Sequence, residues 1–333
     1  MLSRRSLLLL PLALEAAFIG LASASDFTDS TRRTVDLPDA IKRIIPAGPP
    51  AEALLYSLAP ETLVGFVEPW TDIQRQASIE EVRGLPNIPR ITRKEGGLDV
   101  EAIRALHADL IIDYGAIDER YAGLADKVQS ATGIPYLLLD GRLTKVPETV
   151  KRLGAILHQD ERARQIAEAA DLALLKLAPV TSKANAERVS VYYARGGDGL
   201  RAVRTGSSLD EGIALAGGHN VIAPGKGPFS ITSVEEVAAL KPSFVVLAEP
   251  EAAEEGAPLR KALPPETRFL VDRGLPYGWI ERPPSLNRLI GAMWLAAQLY
   301  PDEVSFSADD ARRMSIALFH QAPAESVLKG MFG

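Results

Sequence analysis

The sequence contains no cysteine, which excludes disulfides, thiolate metal sites, a cysteine nucleophile and a lipid anchor on an N-terminal cysteine. Histidine is nearly as scarce. Its four copies, His107, His158, His219 and His320, lack the i, i+4 partner that a helical zinc pair needs, so no metal site is expected. No basic block occurs, and the net charge of −6 removes the electrostatic footprint of a nucleic-acid binder. No Gly-x-Ser-x-Gly elbow, Walker loop or His-Glu-x-x-His is present, so neither catalytic residues nor a cofactor are expected. The run Arg195-Gly196-Gly197-Asp198-Gly199 is glycine-rich but lacks dinucleotide-loop spacing, and reads as a turn. An exported hydrolase using carboxylates scattered along the chain is the alternative from a different class.

Long apolar runs are missing too, save one. Met1 to Arg5 is basic, Leu7 to Leu14 is apolar, and Ala22-Ser23-Ala24 is a small-residue cleavage site. Pro11 and Glu15 keep this stretch short of the ~20 apolar residues that span a bilayer. It reads as a secretory signal peptide over residues 1–24, cut near Ala24. The Ser3-Arg4-Arg5-Ser6-Leu7-Leu8 segment leaves twin-arginine and general export both open. Cleavage removes two arginines and one glutamate, and leaves a mature charge of −7.

What is present is a phrase said twice. Asp99 to Ile112 (DVEAIRALHADLII) returns as Ser233 to Val246 (SVEEVAALKPSFVV). Each copy opens on a helix N-cap residue followed by a first-turn carboxylate. Each continues with apolar residues at helical spacing and closes in a short apolar strand. One helix–strand unit in each half predicts two similar α/β lobes with a cleft between them.

Alternating signals fill in the rest. In the first half, strands are expected over residues 42–46, 62–67, 110–113 and 136–139, with helices over 51–58 and 121–132. Helices are expected at 147–157 and over residues 160–183, the latter roughly 35 Å long at ~1.5 Å per residue, with Pro179 as its kink or stop. A second series places strands at 188–193, 244–248 and 268–272, with helices at 209–216, 286–300 and 308–320. The fold class expected is α/β: two Rossmann-like lobes with mostly parallel sheets, residues 25–158 and 185–333, joined by one long interlobe helix over 159–184.

Lys42-Arg43-Ile44-Ile45, the Leu63-Val64-Gly65-Phe66 strand, the two repeated phrases, and between those phrases the interlobe helix and Gly217-Gly218-His219-Asn220-Val221, form a recognisable series. With them the chain resembles the class III substrate-binding proteins of ABC importers, which take up iron-siderophores, haem and vitamin B12. The resemblance implies a periplasmic protein, expected to be a monomer, that delivers a small-molecule ligand to a permease dimer with its ATPase subunits. It also implies permease docking through one glutamate on each lobe, here Glu101 and Glu235. Matching to the vitamin B12-binding member puts Trp70 and Tyr114 near aromatic ligand contacts. The segment Tyr277 to Arg288 (YGWIERPPSLNR) looks like a branch of the family whose ligands are poorly assigned.

Ligand groups are expected where helices begin, because N-terminal N–H groups suit anions. Gly48 and Ser207 stand at two such openings, and Trp70, Tyr114 and Trp279 near strand ends. Arg282 and Arg204 are the arginines expected to fork onto an anion. The ligand expected is an iron-siderophore-like metal chelate, with a molybdate- or tungstate-like oxyanion as the alternative.

Overall fold

A computed structural model describes residues 25–92, 97–248 and 257–333. The signal-peptide expectation, residues 1–24, lies outside the described residues. A three-stranded parallel sheet carries the first lobe: β3 (Ile44–Pro46), β4 (Leu110–Gly115) and β5 (Tyr136–Asp140), in that spatial order. Ahead of it, β1 (Ser25–Thr28) and β2 (Thr34–Leu37) form an antiparallel hairpin. Helices α1 (Pro49–Leu58), α2 (Asp72–Gln76), α3 (Val100–Arg104), α4 (Glu119–Thr132) and α5 (Val146–Ile156) accompany these strands. Gly133, in the left-handed region at φ 76°, ends α4 where a Cβ would be strained.

Helix α6 (Asp160–Thr181) connects the lobes and spans about 33 Å at ~1.5 Å per residue. Pro179 does not stop it; two more helical residues follow. The second sheet runs β11 (Arg268–Val271), β10 (Phe244–Leu247), β6 (Val189–Arg195), β7 (Arg201–Val203), β9 (Phe229–Ile231). β8 (Gly218–Asn220) also pairs with β6, in parallel. Helices α7 (Glu211–Leu215), α8 (Val234–Leu240), α9 (Ala257–Ala262), α10 (Arg288–Leu299), α11 (Ala308–Phe319) and α12 (Glu325–Phe332) complete the chain.

The repeated phrase becomes a repeated structure. Asp99 caps α3 by accepting from Ala102 N, and Ser233 caps α8 by accepting from Glu236 N. Each helix then reverses into its strand through a non-glycine residue in the left-handed region, His107 at φ 47° and Lys241 at φ 46°. These two residues superpose when the phrases are aligned.

The strand expected at 62–67 is not one. Its backbone divides between two neighbours: Val64 N donates to Ile44 O, whereas Phe66 pairs with Pro86 and Ile88. Only isolated bridges result.

Alternation along the strands sorts the core into three. Ile111 and Tyr136 face an outer cluster of the first lobe, and Tyr192 and Val245 an outer cluster of the second. Their neighbours Ile112, Leu137, Val191 and Val246 all belong to one large cluster that includes residues of α1, α5, α6, α10 and α11. A single apolar core therefore runs through both lobes.

Candidate functional site

The second lobe meets the first along residues 276–288 and the helix they enter, and again where Phe319 and His320 pack on Tyr56. Gln74 Nε2 donates to Pro276 O at 3.2 Å, Tyr277 OH to Glu52 Oε1 at 3.5 Å, and Ser285 Oγ to Pro50 O at 2.8 Å. Arg288, 1 % exposed, donates to Gly141 O at 2.8 Å and pairs with Glu211 at 3.0 Å. Glu211 in turn accepts from Leu143 N at 2.7 Å. Asp272, fully buried, shapes the approach to this seam by accepting from Gly274 N, Trp279 N and Ile280 N at 2.9–3.0 Å. Burial raises its pKa, and those three N–H groups oppose the rise.

A cavity of about 510 Å³ opens between the lobes. Arg120 and Tyr121, in the first turn of α4, form one wall. Thr205, Gly206, Ser207 and Ser208 form the other, together with Pro224, Gly225, Gly227 and Pro228. The second wall is rigid for a local reason. Asp210 accepts from Gly206 N at 2.8 Å and Asn220 Nδ2 at 2.9 Å, while Thr205 Oγ1 donates to Ile222 O at 2.7 Å. The first wall carries a guanidinium 5.1 Å from the Tyr121 ring centroid. The N–H groups of Arg120 and Tyr121 are engaged by the Asp118 cap, so the ligand-directed groups of this turn are side chains. Hydroxyls, one guanidinium and glycine backbone suit an anionic group, while the Tyr121 ring, Pro224 and Pro228 add apolar surface. A second cavity of about 470 Å³, between β11 and α12, involves the second lobe alone.

Of the residues expected to bind ligand, Ser207 lines the interlobe cavity, and its hydroxyl donates to Arg204 O at 2.8 Å. The aromatics are instead in the core. Trp70 stacks on Phe66 at 4.1 Å, meets Tyr277 edge-on and donates Nε1–H to Glu52 at 3.0 Å. Tyr114 and Trp279 are 1 % and 0 % exposed. Large rings bury the most apolar area, and here that burial joins the lobes. Gly48 is buried, and its α1 opening begins Pro49-Pro50, which have no N–H to offer. Arg204 ties the 204–208 loop to β9, donating to Phe229 O at 2.8 Å and Ser230 Oγ at 3.1 Å. Arg282 is exposed and donates to Ala248 O at 3.2 Å. Glu101 and Glu235 are both exposed, each in the first turn of its helix; Glu101 also meets Arg104 at 3.3 Å.

Sequence reasoning passed over Arg120, Tyr121, Glu52 and Glu211. Glu52 carried a signal, a lone carboxylate inside the apolar run Ala51 to Leu55. Among the described residues no cluster of histidine and carboxylate side chains could hold a metal ion, and no helix is long and apolar enough to cross a membrane.

The periplasmic binding protein family profile matches residues 92–258. A search of curated protein sequences gives no match. Among solved structures, an ABC transporter solute binding protein from Sulfurospirillum deleyianum superposes with TM-score 0.81 at 26 % identity, over 92 % of this chain and 98 % of that one. The molybdate periplasmic binding protein of Haemophilus influenzae shares the fold at TM-score 0.68 and 16 % identity, covering 90 % and 99 %. The vitamin B12 binding protein of Vibrio cholerae does so at TM-score 0.58 and 18 % identity, over 78 % and 97 %. With the repeated unit, the two lobes and the long connecting helix already established, the match makes this chain a member of the periplasmic binding protein family, in the class III group that serves ABC transporters.

Proposed function

We propose that the protein is exported, loses residues 1–24, and captures an anionic metal species in the interlobe cavity for delivery to an ABC permease. The observation that carries this reading is the cavity itself: each lobe supplies one wall, and hydroxyls, the Arg120 guanidinium and glycine backbone stand in it beside the Tyr121 ring and two prolines. A compact oxyanion of the molybdate or tungstate kind suits the guanidinium and hydroxyls best, because Trp70, Tyr114 and Trp279 are buried and leave the Tyr121 ring as the aromatic surface of the lining. The Haemophilus relative of the same fold was solved bound to molybdate. The iron-siderophore-like chelate is the second reading, favoured by a volume of about 510 Å³, enough for a ligand of drug size. Binding and release without turnover distinguish either reading from the exported hydrolase.

Docking is assigned to Glu101 and Glu235, which occupy equivalent exposed positions on the two lobes, where basic groups of a permease dimer can reach both and compete with Arg104 for Glu101. Lysine at either position is expected to abolish uptake while leaving the ligand Kd within about twofold. A tenfold loss of affinity, about 1.4 kcal/mol, would remove that residue from the docking role.

A thermal-shift panel of molybdate, tungstate, ferric siderophores, haemin and cobalamin tests the ligand. A ligand at 100 times its Kd stabilises by about 2.7 kcal/mol. The oxyanions are expected to raise Tm, and Arg120→Ala to diminish that rise. Stabilisation by chelates alone would transfer the assignment to the second reading. Silence across the panel would reject both.

A further inference from the structure

Glu52 is the buried charge that the binding site does not use. It lies 2 % exposed on α1, in the first lobe. Oε2 accepts from Val67 N at 2.9 Å, and Oε1 from Trp70 Nε1 at 3.0 Å and Tyr277 OH at 3.5 Å. Val67 and Trp70 belong to its own lobe, whereas Tyr277 comes from the segment that joins the other. Around the carboxyl the rings of Tyr56, Phe66, Trp70 and Tyr277 pack with centroids 4.1–6.0 Å apart.

The charged and titratable groups facing this box are few. Glu68, on the loop after α1, is the nearby charge acting on Glu52, and it is paired with Arg90 at 2.6 Å. Arg75 of α2 stands 5.7 Å from the Phe66 centroid, on that ring and not on the carboxyl. His320, the residue after α11, bonds the Tyr56 carbonyl at 2.9 Å, and Arg83, Glu81 and Arg162 of α6 act on the Tyr56 side of the box. Tyr277 and Tyr56 are both raised above their ordinary value by burial, and stay neutral. Among the described residues no salt bridge offsets a negative charge on Glu52.

We propose that Glu52 is a proton-controlled tie between the lobes, whose protonation tightens the seam at Tyr277 and whose ionisation loosens it. A protonated carboxyl still accepts from Val67 N and Trp70 Nε1. Tyr277 OH stays within reach of it at 3.5 Å, and the seam can close dry around a neutral group. The ionised carboxylate keeps its hydrogen bonds but places a full charge in a box of rings, a cost relieved most easily by admitting water through the seam.

Burial lifts the Glu52 pKa to about 7, against the lowering effect of Val67 N–H, Trp70 and Tyr277. For a carboxyl raised in the folded state, the stabilisation is complete below its ordinary value of 4.5 and is lost as pH rises through about 7. Firmer retention of ligand in mild acid would follow. That consequence alone rests on the binding-protein reading; the tie itself does not.

The test uses the ligand-free protein, so it stands or falls apart from the ligand panel. With 15N-labelled tryptophan, the indole N–H resonance of Trp70 is expected to titrate with a midpoint near 7 between pH 5.5 and 8.5. Trp294, which donates to Met331 O, is the internal control. Amide exchange over residues 276–283, corrected for its chemical rate, is expected to be about tenfold faster at pH 8 than at pH 6. Glu52→Gln should abolish both pH dependences. A flat Trp70 resonance in the wild type, or titration persisting in the variant, would overturn the proposal. The wild-type measurement decides even if the variant does not fold.

Discussion

At the residue scale, the chain hides several charges and makes each answer to a different neighbour. Arg288 satisfies three carbonyls and a carboxylate: Ser285 O, Ser208 O and Glu211 in its own lobe, and Gly141 O across the boundary. Removing one partner of such a pair leaves the other buried without compensation, typically at a cost of 3–5 kcal/mol. Arg288→Ala is therefore expected to destabilise by about 4 kcal/mol, read by urea denaturation. A loss below 1 kcal/mol would show that Glu211 and the carbonyls find water instead. Asp113 works differently. Its carboxylate accepts from the phenol of Tyr136 at 3.0 Å, and burial lifts its pKa from 3.8 to about 6 against the lowering effect of that bond and of the Tyr114 backbone. At 1.36 kcal/mol per unit that is about 3 kcal/mol of stabilisation. It is fully present below pH 3.8 and lost as pH rises to about 6. The difference in Tm between wild type and Asp113→Asn should therefore change between pH 4 and 6, and level off above. A constant difference would mean that Asp113 titrates normally in the fold.

At the scale of elements, the repeat, the parallel strands and the long helix were legible because each rests on local chemistry: a cap, a period, an apolar run. Asp99 and Ser233 announced their helices, and Gly133 the end of one. The short strands β7, β8 and β9 carry three residues each and bond mainly to partners distant in sequence, so no local period marks them. The same limit explains the candidate site. Trp279 stands beside prolines and arginines in sequence, which resembles a ligand loop. Its burial is decided instead by Asp272 and by α10, neither of which its own neighbourhood encodes. Gly291 shows how close that packing is. A Cβ there would lie 2.1 Å from Trp279 O, a backbone atom that cannot swing aside. Gly291→Ala should cost about 1–3 kcal/mol as overpacking, although alanine favours helix. Unchanged or greater stability in a denaturant titration would mean that the Trp279 loop yields freely.

At the scale of the whole molecule, the two lobes are separate as sheets but not as cores. The large apolar cluster takes in Tyr114 and Leu139 of the first sheet, Tyr193 and Val246 of the second, and Ile166, Ala170 and Leu177 of α6 between them. We propose lobe boundaries at residues 25–158 and 185–333, with 159–184 as the interlobe helix. Neither lobe so bounded buries its inner face alone. Cutting the chain at 158 would expose Ile112, Leu137 and Leu139, together with the face of α1 that packs on α6 and α11. The connection is stiff as well, since α6 is reinforced by the Tyr277, Ser285 and Arg288 bonds. Ligand should therefore change the radius of gyration only slightly in solution scattering, and a large fall would contradict this reading. The sharper test is cooperativity. A shared core couples the lobes, so calorimetry should record one transition with van't Hoff and calorimetric enthalpies nearly equal. A fragment of residues 25–158 should lack a cooperative transition of its own. Two resolved transitions, or a fragment that melts sharply, would show that the lobes are independent domains and that the apolar seam between them is an interface rather than a core.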